Sequence, residues 1–420
     1  MGNDTADAIG APDVTWVDLS AFGDTYKGRR VWGPVGLVLT MCLSVFAIFA
    51  ALVFLWFLAS QLGPTFERAG EAAFITIVIL ACFAAVFIVI RDRVRFESGI
   101  GEFVSGVDLS PGDLDRIVPH SGVPLRTILE RVKVFAASLG PRVKIKRTAD
   151  PVMRKKVQQQ IYIAWGVIGG SLLIFLFVSM VIGGPMLLVS CIFFLRAARA
   201  SQPSIAEVRA QDERRPILLL RSFRDDRLMA PWRRRYFIWV VSAARRFEQA
   251  IAGSFEAFGP LIAIGEPGEK LPQIGAARTY LSDREWQEAV LGWINESLII
   301  VMIAGSTQWI QWELHRILDK ERSRHLLILI PPDSSQARFL KLRRVSSRKD
   351  RWANVLASLA GTEWSPALRS IDIKDLLLVQ LKPAGKVNAI KADNSYVQAY
   401  LLAIAAAIDN EFIAPQAKAA

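Results

Sequence analysis

Long apolar runs occupy the first half of the chain, and short ones alternating with amphipathic stretches occupy the second. Between Arg30 and Glu67 no residue is charged, and a second run extends from Ala72 to Ile90. A helix needs roughly 20 apolar residues to cross the hydrocarbon core, so each run is long enough for one span. The short connection "QLGPTFERAGE" pairs them as a transmembrane hairpin over residues 31–91. A third run, Gln158 to Leu195, is too long for one crossing and is broken by Gly183, Gly184 and Pro185. It predicts a second hairpin over 159–199, with a span at Ile161–Ile182 and a shorter, complete or re-entrant one from Met186. Segment 92–158, between the hairpins, reads as two helices and a basic extended piece.

From Arg215 onward the period changes. "PILLLRSF" (216–223), "GPLIAIG" (259–265), "SLIIVMIA" (297–304), "HLLILIPP" (325–332) and "DLLLVQL" (375–381) are apolar runs bounded by Gly, Pro or charge. Helix-like stretches lie between them, and a last one covers 394–409. Near-continuous apolar strands alternating with helices predict a flavodoxin-like parallel sheet covered on both faces, in an α/β domain over 214–412. The expected fold class is therefore an α-helical membrane region plus a cytoplasmic α/β domain.

Composition agrees with spans, since 52% of residues are hydrophobic and 21% charged. Charge orients them. Lys27, Arg29 and Arg30 precede the first run, Arg91, Arg93 and Arg95 follow the second, and Arg154, Lys155 and Lys156 precede the third. The positive-inside rule then places tail 1–30, segment 92–158 and the carboxy-terminal domain in the cytoplasm of a multi-pass inner-membrane protein. No Asp, Glu, Lys or Arg lies inside a span, which favours an anchor over a transporter. The amino end "MGNDTADAIG" is acidic and matches neither a secretory signal nor the myristoylation pattern. A net charge of +12 calls for an anionic partner, with the lipid bilayer and a nucleotide ahead of nucleic acid, for which no signature is present. Cys42, Cys82 and Cys191, and His120, His315 and His325, have no metal-ligand spacing, so neither a disulfide framework nor a metal site is expected.

In doubly wound sheets ligands bind beyond the carboxyl ends of the strands. The first strand there ends in "RSFRDDR", with Arg221, Ser222 and Arg224. The third leads through "GST" into a helix that starts at Thr307, a candidate N-cap, and carries "TQWIQWELHR". Ile310, Leu314, Ile317 and Leu318 form the stripe that faces the sheet, with Trp309, Glu313, Arg316 and Lys320 beside it. Glu313 is either a solvated charge paired with Arg316 at i+3, or a carboxylate at the mouth of a pocket.

The "LLLRSFRDD" and "ESLIIVMIAGSTQWIQWEL" blocks resemble the TIR (Toll/interleukin-1 receptor) domain family, whose motifs pair S-F-R-x-x-D with a later S-x-W-C-x-x-E-L. Here Thr307 replaces the serine and Ile310 the cysteine, while Trp309, Glu313 and Leu314 keep the spacing. The likeness covers roughly residues 214 to 332. It implies a glutamate, Glu313, that acts in cleaving the nicotinamide–ribosyl bond of NAD, which is then a substrate and not a cofactor. Trp309, Ser222, Arg221, Arg224 and Thr307 are the implied substrate-binding residues. It further implies homo-oligomers formed through TIR-like and transmembrane contacts, and a role in bacterial defence or stress signalling. Two alternatives stand beside this: a non-enzymatic TIR-like assembly module, and a nucleoside or glycosyl transferase on the same fold.

Overall fold

In the computed structural model the short apolar runs of the second half become the central strands of one sheet. The residues described are 14–20, 115, 122–143, 145, 151–177, 193, 196–197, 199–223, 228–230, 245–266, 269, 275–282, 285–333, 346–393, 395 and 397–415. In chain order the first elements are β1 (Val14–Asp18), α1 (Leu125–Ser138), α2 (Pro151–Phe177) and α3 (Ile205–Gln211). They are followed by β2 (Ile217–Leu220), β3 (Met229–Ala230), β4 (Arg245–Arg246), α4 (Phe247–Phe255), β5 (Leu261–Ile264) and β6 (Ala277–Thr279). Then come α5 (Trp286–Glu296), β7 (Ile299–Ile303), α6 (Gln308–Asp319) and β8 (Leu326–Leu329). The last are α7 (Arg348–Ser358), α8 (Ser365–Arg369), β9 (Leu376–Leu381), β10 (Val387–Lys391) and α9 (Val397–Ile408).

The sheet has 8 strands in the order β1-β10-β9-β8-β7-β2-β5-β6, and β3 and β4 form a separate ribbon. Because side chains alternate across a strand, Ile217 and Leu219 of β2 enter one core, while Leu218 and Leu220 enter the other. β7 divides in the same way, with Ile299, Val301 and Ile303 on one side and Ile300 and Met302 on the other. Helices α1, α4 and α9 cover the first face, and α3, α5, α6, α7 and α8 the second. Every residue of α9 is buried, since this helix lies on the sheet with α1 and α4 against its flanks. Helix α3 starts on a capping box between Ser204 and Glu207, and α7 on one between Ser347 and Asp350.

Two expectations are corrected. The sheet is mixed, not parallel throughout. β9 runs antiparallel to both β8 and β10, and β1 returns parallel to β10 at the edge. The turn between β9 and β10 is only "KPAGK", and a parallel connection needs a dozen or more residues, so these two strands can pair only as a hairpin. Ala384 and Gly385 sit in the turn with φ of 59° and 69°. A Cβ on Gly385 would also lie 2.7 Å from the Glu363 carbonyl oxygen, so both conformation and space call for glycine there.

The second correction concerns the membrane region and the multi-pass inner-membrane location with cytoplasmic termini. No helix among the described residues is long and apolar enough to cross a membrane. In α2 the amino-terminal turns hold Arg154, Lys155, Lys156 and Gln158 to Gln160. Its apolar part starts only at Ile161, and the described residues of the helix run to Phe177. The hairpin expected over 31–91 and the span from Met186 lie outside the described residues.

Strand order reverses beside β2. The chain leaves β2 for β5 on one side and comes back to β7 on the other, with all these neighbours parallel. A switch of this kind opens a crevice beyond the carboxyl ends of β2 and β7.

Candidate functional site

Arg221 and Ser222 follow β2 directly at that switch, and both are buried. On the other side of the switch, β7 leads to Thr307 and α6. Thr307 caps α6 in an extended conformation, φ −96° and ψ 150°, and its side chain makes no capping bond.

The buried residues of α6 are Ile310, Glu313, Leu314 and Ile317. These are positions i, i+3, i+4 and i+7, the spacing of a core-facing stripe, so Glu313 occupies an apolar position. Its exposure is 7%, and Oε2 has no hydrogen-bond partner. Burying a carboxylate without partners is costly, and the group lowers that cost by holding its proton. Burial pushes the Glu313 carboxyl up to about 8, and the charge of Arg221 offsets only part of the rise. The Arg316 partnership expected from i+3 spacing does not form, because Arg316 pairs with Asp319 at 2.8 Å.

Arg221 engages a different carboxylate. Its Nε lies 2.9 Å from Oε2 of Glu248, in the first turn of α4. Arg278, from β6, donates through Nη2 to Glu248 Oε1 at 2.5 Å. Burial raises the Glu248 carboxyl, but Arg221, Arg278 and the Ala276 N–H outweigh it and hold the group below its ordinary range. Arg278 also donates through Nη1 to Glu269 Oε2 at 3.4 Å. Glu269 further accepts from Arg199 at 3.2 Å and from the Tyr280 hydroxyl at 3.2 Å. Tyr280 is pushed up to about 12, by burial first and then by the Glu269 charge. The ring lies so close to Gly265 that a Cβ there would overlap it, which fixes the approach of β5 to the segment after β6.

Trp309, one turn before Glu313, is 48% exposed, and its ring stands edge-on to Trp286 at 5.1 Å. Trp312 also meets Trp286, at 5.0 Å, with the Arg316 guanidinium 5.7 Å from its own ring centre. On the far flank of α6, Asn354 accepts from Gln311 at 2.6 Å and donates to the Gly305 carbonyl at 2.7 Å. These bonds tie α7 to both α6 and the loop that precedes it.

Of the residues singled out in the sequence, Glu313, Arg221, Ser222 and Thr307 thus come from the two segments that border the switch. Trp309 lies on the outer side of α6, and Arg224 lies outside the described residues. Sequence reasoning missed Glu248, Arg278 and Glu269. Glu248 follows "RR" at the start of a helix, and the other two sit in a stretch that reads as a long loop, so no spacing joins them to Glu313. Among the described residues no group of His, Cys, Asp and Glu is placed to hold a metal ion. Comparison of the chain with known protein families, with curated proteins and with solved structures gives no match.

Proposed function

We propose that the crevice beyond β2 and β7 binds NAD and that Glu313 promotes cleavage of its nicotinamide–ribosyl bond. The observation that carries this reading is a buried carboxyl with one oxygen unpartnered, placed where a doubly wound sheet takes its ligand. The resemblance of "RSFRDD" and "STQWIQWEL" to TIR motifs points to the same residue.

The chemistry suits such a group. Bond cleavage sends the C1′–N electron pair to the nicotinamide nitrogen and leaves an oxocarbenium-like ribosyl centre, which water attacks. The products are nicotinamide, ADP-ribose and a proton. A carboxylate in a low-dielectric crevice stabilises that positive charge and accepts hydrogen bonds from the ribose hydroxyls. The pyridinium ring of NAD is itself cationic, so its arrival favours the ionised form of a group that rests largely protonated near neutral pH. Ser222 and Thr307 add hydroxyls on either side of the switch.

The test is release of free nicotinamide from NAD by the purified full-length chain, followed over a range of protein concentrations. Glu313→Gln keeps the size and loses the charge, and is expected to lower release at least about 100-fold. Glu313→Asp, with the carboxylate drawn back, retains a part. Equal release by wild type and Glu313→Gln, or no release by folded wild type at any concentration, contradicts the reading.

A further inference from the structure

The end of the sheet opposite the crevice carries a second concentration of charge. There the amino ends of β2, β7 and β8 lie side by side, with Arg215 before β2, Ser297 and Leu298 between α5 and β7, and Arg322 between α6 and β8. Arg215 donates through Nε to the Glu296 carbonyl at 3.0 Å and through Nη2 to the Ser297 carbonyl at 3.1 Å. Arg322 donates through Nε to the Ile294 carbonyl at 3.2 Å and through Nη2 to the same Ser297 oxygen. Two guanidinium groups thus meet on one carbonyl oxygen, at the carboxyl end of α5.

One cation is enough to satisfy that oxygen and the negative end of the helix dipole. The second adds repulsion, since two unit charges 4 Å apart repel by about 1 kcal/mol in water and by more at lower dielectric. Among the described residues neither arginine forms an ion pair. Glu296, whose carbonyl Arg215 holds, gives its carboxylate to Arg209 at 2.7 Å, and Glu411 is taken by Lys382. Neighbouring groups register the uncompensated charge. Burial first, and then Arg215, lower the proton affinity of Arg322. Burial also lowers that of His325, whose Nδ1 lies 2.8 Å from the Leu298 carbonyl. That bond opposes the fall, and Arg322 and Arg215 add to it. Each arginine spends its Nε and Nη2 on the helix end. A guanidinium has five N–H donors, so three remain on each, and neither Nη1 makes a hydrogen bond among the described residues.

We propose that Arg215 and Arg322 form a binding site for the phosphate group of a small soluble molecule, separate from the crevice. A phosphate carries close to two negative charges near neutral pH and three acceptor oxygens, which matches two cations with donors to spare. Planar guanidinium forks suit its geometry, and bonds already made to the helix end hold them in place before the ligand arrives. An extended anionic surface fits less well, because the exposed acids Glu213, Glu296 and Glu321 adjoin the site in the chain and repel it. The net charge of +12 calls for an anionic partner, and this site takes one without any part played by Glu313.

The experiment is a calorimetric titration of the full-length chain with inorganic pyrophosphate at low salt, with circular dichroism to establish that each variant is folded. Wild type is expected to bind saturably, with one ion per chain. Arg215→Gln and Arg322→Gln are each expected to weaken binding at least about tenfold, the loss of one charge-assisted contact. If Arg322→Gln does not fold, Arg215→Gln, at the more exposed of the two, decides alone. Arginines that only cap α5 would lower the unfolding midpoint when replaced and leave the affinity for pyrophosphate unchanged, and that result overturns the proposal. So does absence of saturable binding by wild type. Binding to phosphatidylcholine vesicles that contain phosphatidic acid, with none to pyrophosphate, also overturns it.

Discussion

Glu313 is costly to the fold in a pH-dependent way. Its folded value near 8 lies above the ordinary 4.5, so folding is favoured by proton uptake. That contribution is fully present below pH 4.5 and is lost as pH rises through 8. In urea unfolding, wild type is expected to lose stability relative to Glu313→Gln between those limits. The loss is on the order of 2–5 kcal/mol, because each tenfold change in proton affinity is worth about 1.4 kcal/mol. Parallel curves for the two proteins from pH 5 to pH 9 would mean that the carboxyl is not buried. Glu248 has the opposite sign. Its depressed carboxyl stabilises the fold above the ordinary carboxylate range, and that contribution is lost as pH falls through its lowered value. Much of this is legible in the sequence. Glu313 sits beside Ile310, Leu314 and Ile317 in a periodic stripe, and Arg221 ends an apolar strand. Glu248, Arg278 and Glu269 are not legible, because they meet through tertiary contacts between α4, β6 and the segment after β5.

At the scale of elements, apolar runs announce β2, β5, β7, β8 and β9, since a strand buried on both faces has little room for polar residues. Strands β6 and β10 escape that pattern. β6 is only Ala277–Thr279, and its central Arg278 is buried by pairing with Glu248 rather than by being apolar. β10 places Asn388 in the core, where Nδ2 donates to Gln380 Oε1 at 2.7 Å. A hydrogen-bonded polar pair stands in for an apolar one, and the alternation signal is lost. The hairpin that joins β9 to β10 depends on Gly385. Gly385→Ala adds a Cβ against the Glu363 carbonyl at positive φ, and is expected to destabilise the fold by about 1–3 kcal/mol in denaturant unfolding. A neutral Gly385→Ala would mean that the turn relaxes freely. α9 is joined to the segment after β8 by the Tyr400 hydroxyl, which donates to the Ile330 carbonyl at 2.6 Å. Tyr400→Phe leaves that carbonyl buried, at an expected cost of about 1–2 kcal/mol by the same measurement, and an unchanged midpoint would show the bond to be dispensable.

At the scale of the whole molecule, residues far apart in sequence build one three-layer unit. β1 pairs along β10, the Leu19 amide donates to the Lys391 carbonyl at 2.9 Å, and Asp18 lies 3.0 Å from Lys391 Nζ. α1 packs on the same sheet face as α9. Neither contact is visible in the sequence, where 1–30 reads as a tail and 92–158 as a connecting segment. "VTWVD" is too short to stand out between polar flanks, and α1 shows only a narrow apolar stripe. Deletion of residues 1–20 is expected to uncover Val17, Leu19 and the edge of β10, lowering stability and promoting association through the exposed edge. Sedimentation at several concentrations checks this, and an unchanged monomer–oligomer balance with unchanged stability would count against it. Mixed strand direction does not reach the switch, because β5, β2, β7 and β8 remain mutually parallel around it. The measurement that bears most directly on the site is the pH dependence of nicotinamide release from NAD by the full-length chain, run beside Glu313→Gln. The expected result is a kcat/KM that rises with pH to a plateau above about 8 and is lost in Glu313→Gln. A Glu313→Gln protein that releases nicotinamide at the wild-type rate, with the same pH profile, would contradict it.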